Sequence, residues 1–352
     1  MSAPAEPRRG RRRRGLRDPR LWLGLAITAV TLWLALRGVD FGTLAHDLAR
    51  DLRQADVLLL VAYSLPAYLA SLWLRAVRWR HLTDAVQPIG TGPLLRATAV
   101  GFMVNNLAPL RIGEVVRAWT LARETGASGA AILGTVLLER LIDALAVLAL
   151  AFAILGTRSG AIPLESVLFL GLLIPLGAVV LLRLAPERVV TAVSWLAAVG
   201  VRERAVAGLQ RLVRSLSEGL GSLRGGRHLF WIAWHTVWLW GVLSVIPFYG
   251  TLVALGVDLG SPLRNLAAAY ATLVAVGIAV ALPSAPGFFG PYHYAARLAL
   301  GRFGLADSTA LAVGTLAHAT FWVIVTLAGF VALRFRRTSL DETLEAATSE
   351  PE

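Results

Sequence analysis

Apolar runs recur along this chain from Leu21 to Leu333, and several exceed the roughly 18 residues that mark a bilayer-spanning helix. With 56% apolar and only 16% charged residues, the sequence lacks the polar faces a soluble chain of 352 residues would place beside such runs. The bilayer is therefore the solvent. A spanning backbone must satisfy its own hydrogen bonds, so the fold class is an all-α polytopic membrane protein.

Spans are predicted near 21–37, 57–74, 130–155, 163–183, 229–255, 266–282 and 309–333. Two further apolar segments, 94–110 and 286–303, are shorter and interrupted by polar residues, glycine or proline. Arginine placement sets topology, because basic loops stay cytoplasmic. Arg75, Arg78 and Arg80 precede 94–110, and Arg111, Arg117 and Arg123 follow it, so that segment is expected to enter and return. Eight arginines between Arg8 and Arg20, and Arg334, Arg336 and Arg337 at the other end, predict cytoplasmic N- and C-termini in the cell (inner) membrane. An even number of crossings is then needed, and 286–303 completes about eight transmembrane helices plus a re-entrant segment.

The expected organisation is an Arg-rich tail over 1–20, a transmembrane domain over 21–337 and an acidic, disordered tail over 338–352. The first span lacks a small-residue cleavage pattern and reads as uncleaved. Within the membrane domain, 186–228 is a basic loop whose Val206, Leu209, Leu212, Val213, Leu216 and Leu220 have amphipathic spacing, suited to lie on anionic lipid.

The formal charge of +12 comes from arginine alone, in short blocks flanking apolar spans. Such blocks fit membrane lipids with phosphate-bearing head groups as partners, and not nucleic acid. Absence of cysteine excludes disulfide and thiolate chemistry. The six histidines show no ligand spacing of the HExxH kind, so no metal and no cofactor is expected, and no nucleotide-binding loop is present.

Three polar clusters interrupt the apolar pattern. In the first, Asn105, Asn106 and Pro109 end a helix, Gly113 lets the chain turn, and Arg111, Glu114 and Arg117 follow at helical spacing. In the second, Thr135, Glu139 and Asp143 share one face of a predicted span, with Arg140 between the carboxylates. Charged groups at mid-membrane cost about 2.5–3.5 kcal/mol each, so these must point inward. In the third, Pro283, Pro286, Gly287, Gly290 and Pro291, with His293 just after, forbid a continuous helix. Paired broken segments in two halves are a pointer to a transporter's central site and suggest an inverted repeat with two broken helices. Trp73, Trp79 and the Arg75, Arg78, Arg80 group read as an interfacial anchor.

At these residues the sequence resembles the transmembrane flippase-like domain of the lysylphosphatidylglycerol synthase family. The likeness rests on Asn106, Pro109, Arg111, Gly113, Glu114 and Arg117, on Glu139, Arg140 and Asp143, and on Pro286, Gly287 and Gly290. Family members often carry a glutamate where His293 stands. The resemblance implies a stand-alone member without the cytoplasmic aminoacyltransferase domain, which handles or translocates lipid and does not transfer lysine. Arg111 and Arg117 would then hold phosphate. Two other readings stay open. One is a membrane-embedded glycosyl or acyl transferase, for which Asp40, Asp47, Asp51 and Asp56 are the candidate acids. The other is an accessory membrane subunit; a homo-oligomer is compatible with any of the three.

Overall fold

The computed structural model describes residues 19–37, 50, 53, 55–108, 111–158, 177, 181, 184–198, isolated positions within 203–214, 226–282 and 284–335. Every regular element among them is helical. These are α1 (Pro19–Leu36), α2 (Val57–Thr83), α3 (Thr91–Leu107), α4 (Gly113–Thr125), α5 (Gly129–Arg158), α6 (Pro186–Ala198), α7 (Gly226–Trp238), α8 (Ile246–Ala254), α9 (Pro262–Ala279), α10 (Pro291–Gly301) and α11 (Asp307–Arg334). A π-helical turn, Leu239–Leu243, carries α7 toward α8. The predicted span 163–183, both terminal tails, and Asp40, Asp47 and Asp51 fall largely or wholly outside the described residues.

Local sequence explains where these helices begin. Asp56 caps α2 by accepting from the Leu59 amide at 3.0 Å, and its own amide donates to Ala254 O, tying α2 to the end of α8. The one described member of the candidate acidic set is thus a helix cap. Ser261 caps α9 in the same way, with Pro262 at the first helical position. Gly126, with φ of +72°, ends α4.

Among the described residues, four helical stretches are long and apolar enough to cross a membrane: α2, residues Arg227–Ala254, α9 and α11. Helix α5 has 30 residues but carries Glu139, Arg140 and Asp143 at its centre. The segment 286–303, predicted to cross, is instead a 3-10 turn (Pro286–Phe288) followed by an 11-residue helix. At 1.5 Å per residue α10 rises only about 16 Å, roughly half a hydrocarbon core.

The segment 94–110 likewise does not turn back within itself. Helix α3 runs unbroken for 17 residues, and the return is made by α4. Gln87 Nε2 donates to Thr125 O, and Arg96 pairs with Glu124, so the start of α3 lies beside the end of α4. Gly113 serves close approach here and not turning. A Cβ on it would stand 2.0 Å from Gly101 O and 2.5 Å from Asn105 Oδ1.

Helices α9 and α10 form a second hairpin, so each half reads as a long helical stretch, a hairpin of two helices and a long helix, with α7 and α8 together making the first stretch of the second half. The halves also repeat their neighbours. Helix α2 packs on α8, α3 packs on α11, and α9 packs on α5. One apolar cluster surrounds the first hairpin with Trp79, Leu94, Leu121 and Ile132, and a second surrounds the other with Leu273, Tyr292, Leu300 and Val313. The basic loop contributes to the first cluster through Val190 and Val213.

Candidate functional site

The two hairpin tips meet. Arg111, in the first break, donates from Nη1 to Val280 O at 2.8 Å, and its guanidinium lies 5.6 Å from the Phe288 ring centre in the second break. Arg111 (φ +54°) and Phe288 (φ +62°) are the only non-glycine residues with positive φ among the described residues. Such conformations cost about 1–3 kcal/mol each and persist where surrounding structure imposes them. Gly287, at +71°, takes the same region without that cost.

Beside the tips lies a buried charge cluster centred on α5. Asp143 meets Arg75 Nη1 at 3.0 Å, Arg78 Nη2 at 2.7 Å and Arg140 Nη2 at 3.1 Å, and it accepts from Trp240 Nε1 at 2.8 Å. Glu139 meets Arg117 Nη2 at 2.8 Å and Arg140 Nη2 at 2.9 Å. Arg78 also donates to Thr236 Oγ1 at 3.1 Å. Glu139 and Arg78 are fully buried, and Arg75, Arg117 and Asp143 nearly so. Trp79 donates to Thr135 Oγ1 and stacks under the Arg117 guanidinium at 4.5 Å. Arg75, Arg78 and Trp79 are therefore not an interfacial anchor, because α2 continues nine residues past Leu74 and brings them to the carboxylates. Arg111 likewise lies before the resumed helix and not on it.

Four guanidiniums (Arg75, Arg78, Arg117, Arg140) face two carboxylates (Glu139, Asp143), while Arg111 and Glu114 pair at 3.5 Å. The cluster so described carries two positive charges in excess. Arg111 and Arg140 keep side-chain exposures of 28% and 27%, so these two cations are the ones that remain approachable.

Both line two adjoining cavities. One, of about 180 Å³, lies between the tips with Asn105, Arg75, Phe288 and Tyr292 in its wall. The other, of about 570 Å³, runs between α5 and α9, past Glu114, Asp143 and Trp240 to Leu148 and Ile278, which are exposed on the outer surface. Charged groups line its inner end and apolar groups its outer end.

The model of the lysylphosphatidylglycerol synthase TM region matches residues 21–329. The chain belongs to that family. No curated protein and no solved structure matches it. As a member of the lysylphosphatidylglycerol synthase TM region family, it is a membrane protein of lipid metabolism.

The predicted site residues divide into two groups. Arg111, Glu114, Arg117, Glu139, Arg140 and Asp143 converge on the cluster, and Asn105 joins them by accepting from the Gly113 amide at 2.8 Å. Asn106, Pro286, Gly287, Gly290 and His293 shape the tips. Asn106 Nδ2 donates to Thr326 Oγ1 at 3.0 Å, holding the first tip to α11. Gly287 O meets His318 Nε2 at 2.6 Å, and Pro286 starts the turn beside it. Gly290 lies against Thr28 and Thr31 of α1, where a Cβ would come within 2.8 Å. His293 stacks on Phe289 at 6.0 Å and lies outside the lining of both cavities.

Sequence reading missed Arg75, Arg78, Trp79 and Trp240. A signal was present, since two carboxylates and one guanidinium on α5 leave a negative charge that another helix must balance.

Proposed function

We propose that this chain is a lipid translocator that moves a phospholipid or lipid-linked intermediate with a phosphate-bearing head group between leaflets of the cell membrane. The observation that carries this reading is the buried cluster with two excess positive charges, opening through Arg111 and Arg140 into the cavity between α5 and α9. An anionic head group entering there replaces water with guanidinium donors whose fixed fork matches phosphate oxygens. The acyl chains stay in lipid, past Leu148 and Ile278. The two hairpins, entering from opposite faces as an inverted repeat, give a passage whose irregular backbone lines a polar cavity, a setting in which the bilayer tolerates it. Glu114 orients Arg111 or meets the amine of a zwitterionic head group. In this arrangement both termini are cytoplasmic.

The test is translocation of head-group-labelled lipids in proteoliposomes, run with anionic and zwitterionic classes. Intact protein should move at least one class rapidly, and folded Arg111→Ala and Glu114→Gln variants should not. Equal movement by the variants, or none with any lipid, would overturn the proposal.

A further inference from the structure

Away from the charge cluster, the last turn of α2 meets the first turn of α7. His81 and Asp84 stand three residues apart and share one face, and His228 comes from α7. One ligand-capable atom from each of the three lies within 4.8 Å of the other two. His81 is only 9% exposed, and its Nδ1 has no hydrogen-bond partner. His228 Nδ1 also lacks one, standing 3.9 Å from Asp84 Oδ2, beyond hydrogen-bond reach. Buried imidazole nitrogens left without partners call for an explanation, and a bound ion supplies one. His235 stacks on His81, with ring centres 5.5 Å apart, and walls the far side.

We propose that His81, Asp84 and His228 bind a divalent transition-metal ion, with zinc the best fit. Two imidazoles and a carboxylate suit zinc, whereas magnesium and calcium prefer oxygen donors throughout. Tetrahedral zinc with bonds of about 2.0–2.1 Å sets its donors about 3.3 Å apart, a convergence within reach of side-chain rotation. The fourth position takes water, since the His228 and Asp84 side chains keep 30% and 28% exposure. Arg80 and Arg227 are near enough to His81 to oppose a cation, and Asp84 offsets one of those charges. That balance selects an ion held by coordination bonds over one held by charge alone.

The ion joins the two helices that Arg78 already bridges through Thr236, one turn from His81. It therefore acts as a positioning clamp for the arm that holds Asp143, distinct from the lipid site.

The experiment uses the full chain in detergent, purified without a polyhistidine tag, stripped with chelator and equilibrated with zinc or magnesium. Metal content and thermal unfolding are then measured. Zinc should bind at one per chain and raise the unfolding temperature, and magnesium should do neither. His228→Gln and Asp84→Asn, at partly exposed positions that tolerate substitution, should each weaken zinc binding at least about tenfold. Zinc content unchanged in both variants, or no zinc retained above the magnesium level by the intact protein, would overturn the proposal.

Discussion

Asp143 pairs with three guanidiniums and accepts from an indole, so it is the residue whose charge matters most to the buried cluster. Asp143→Asn keeps the shape and removes one negative charge, which raises the buried excess from two positive charges to three. Removing one partner of a buried ion pair costs about 3–5 kcal/mol, so this variant should lose at least about 3 kcal/mol. Arg75→Gln acts in the opposite sense. The excess falls to one, Asp143 keeps Arg78, Arg140 and Trp240, and the loss is one charge-assisted hydrogen bond, about 1.5–3 kcal/mol. The double variant restores the original excess and should be less destabilised than the sum of the singles, with a coupling of about 0.5–3 kcal/mol. Denaturant unfolding of the four proteins in one detergent measures all three quantities. If Arg75→Gln costs as much as Asp143→Asn, or the singles simply add, the reasoning from charge excess is wrong.

Other outcomes follow from the same geometry. Arg111→Ala removes a partly exposed cation and one bond to Val280 O, so lipid movement should be lost while the elution profile and unfolding temperature stay near those of the intact protein. Gly113→Ala forces a methyl group to within 2.0 Å of Gly101 O, and should cost about 1–3 kcal/mol or more by prising α3 from α4, read as reduced membrane abundance. Asp56→Ala removes a helix cap and should cost about 0.5–2 kcal/mol with translocation unchanged. A folded Asp56→Ala protein without activity would point instead to carboxylate chemistry at the start of α2.

The membrane class and the two broken segments were legible in the sequence because apolar runs and proline–glycine clusters act locally. So were the inward-facing Glu139 and Asp143, since carboxylates within an apolar helix have few places to go. The roles of Arg75 and Arg78 were not, because hydropathy ends the second span at Leu74 while the helix continues to Thr83. At a membrane edge those arginines would snorkel; inside a bundle they meet carboxylates some 65 residues downstream. Arg75, Arg78, Arg111 and Arg117 also lie within the packed bundle, so they carry no weight in a rule about exposed loops. His81, Asp84 and His228 escaped notice because their spacing spans two distant segments, and no short motif joins them.

The positive excess in the cluster also bears on what must not pass. A membrane protein that holds open a polar path for head groups risks draining the ion gradients across the same bilayer. In the proposed translocator, the guanidiniums lining the cavities beside the hairpin tips would repel sodium and hydrated protons, as arginines do in water-selective pores. Under the proposed function, Arg111 and Arg140 would thus hold back cations as well as bind the head group, admitting an anion that bears its own acyl chains while sparing the sodium and proton gradients.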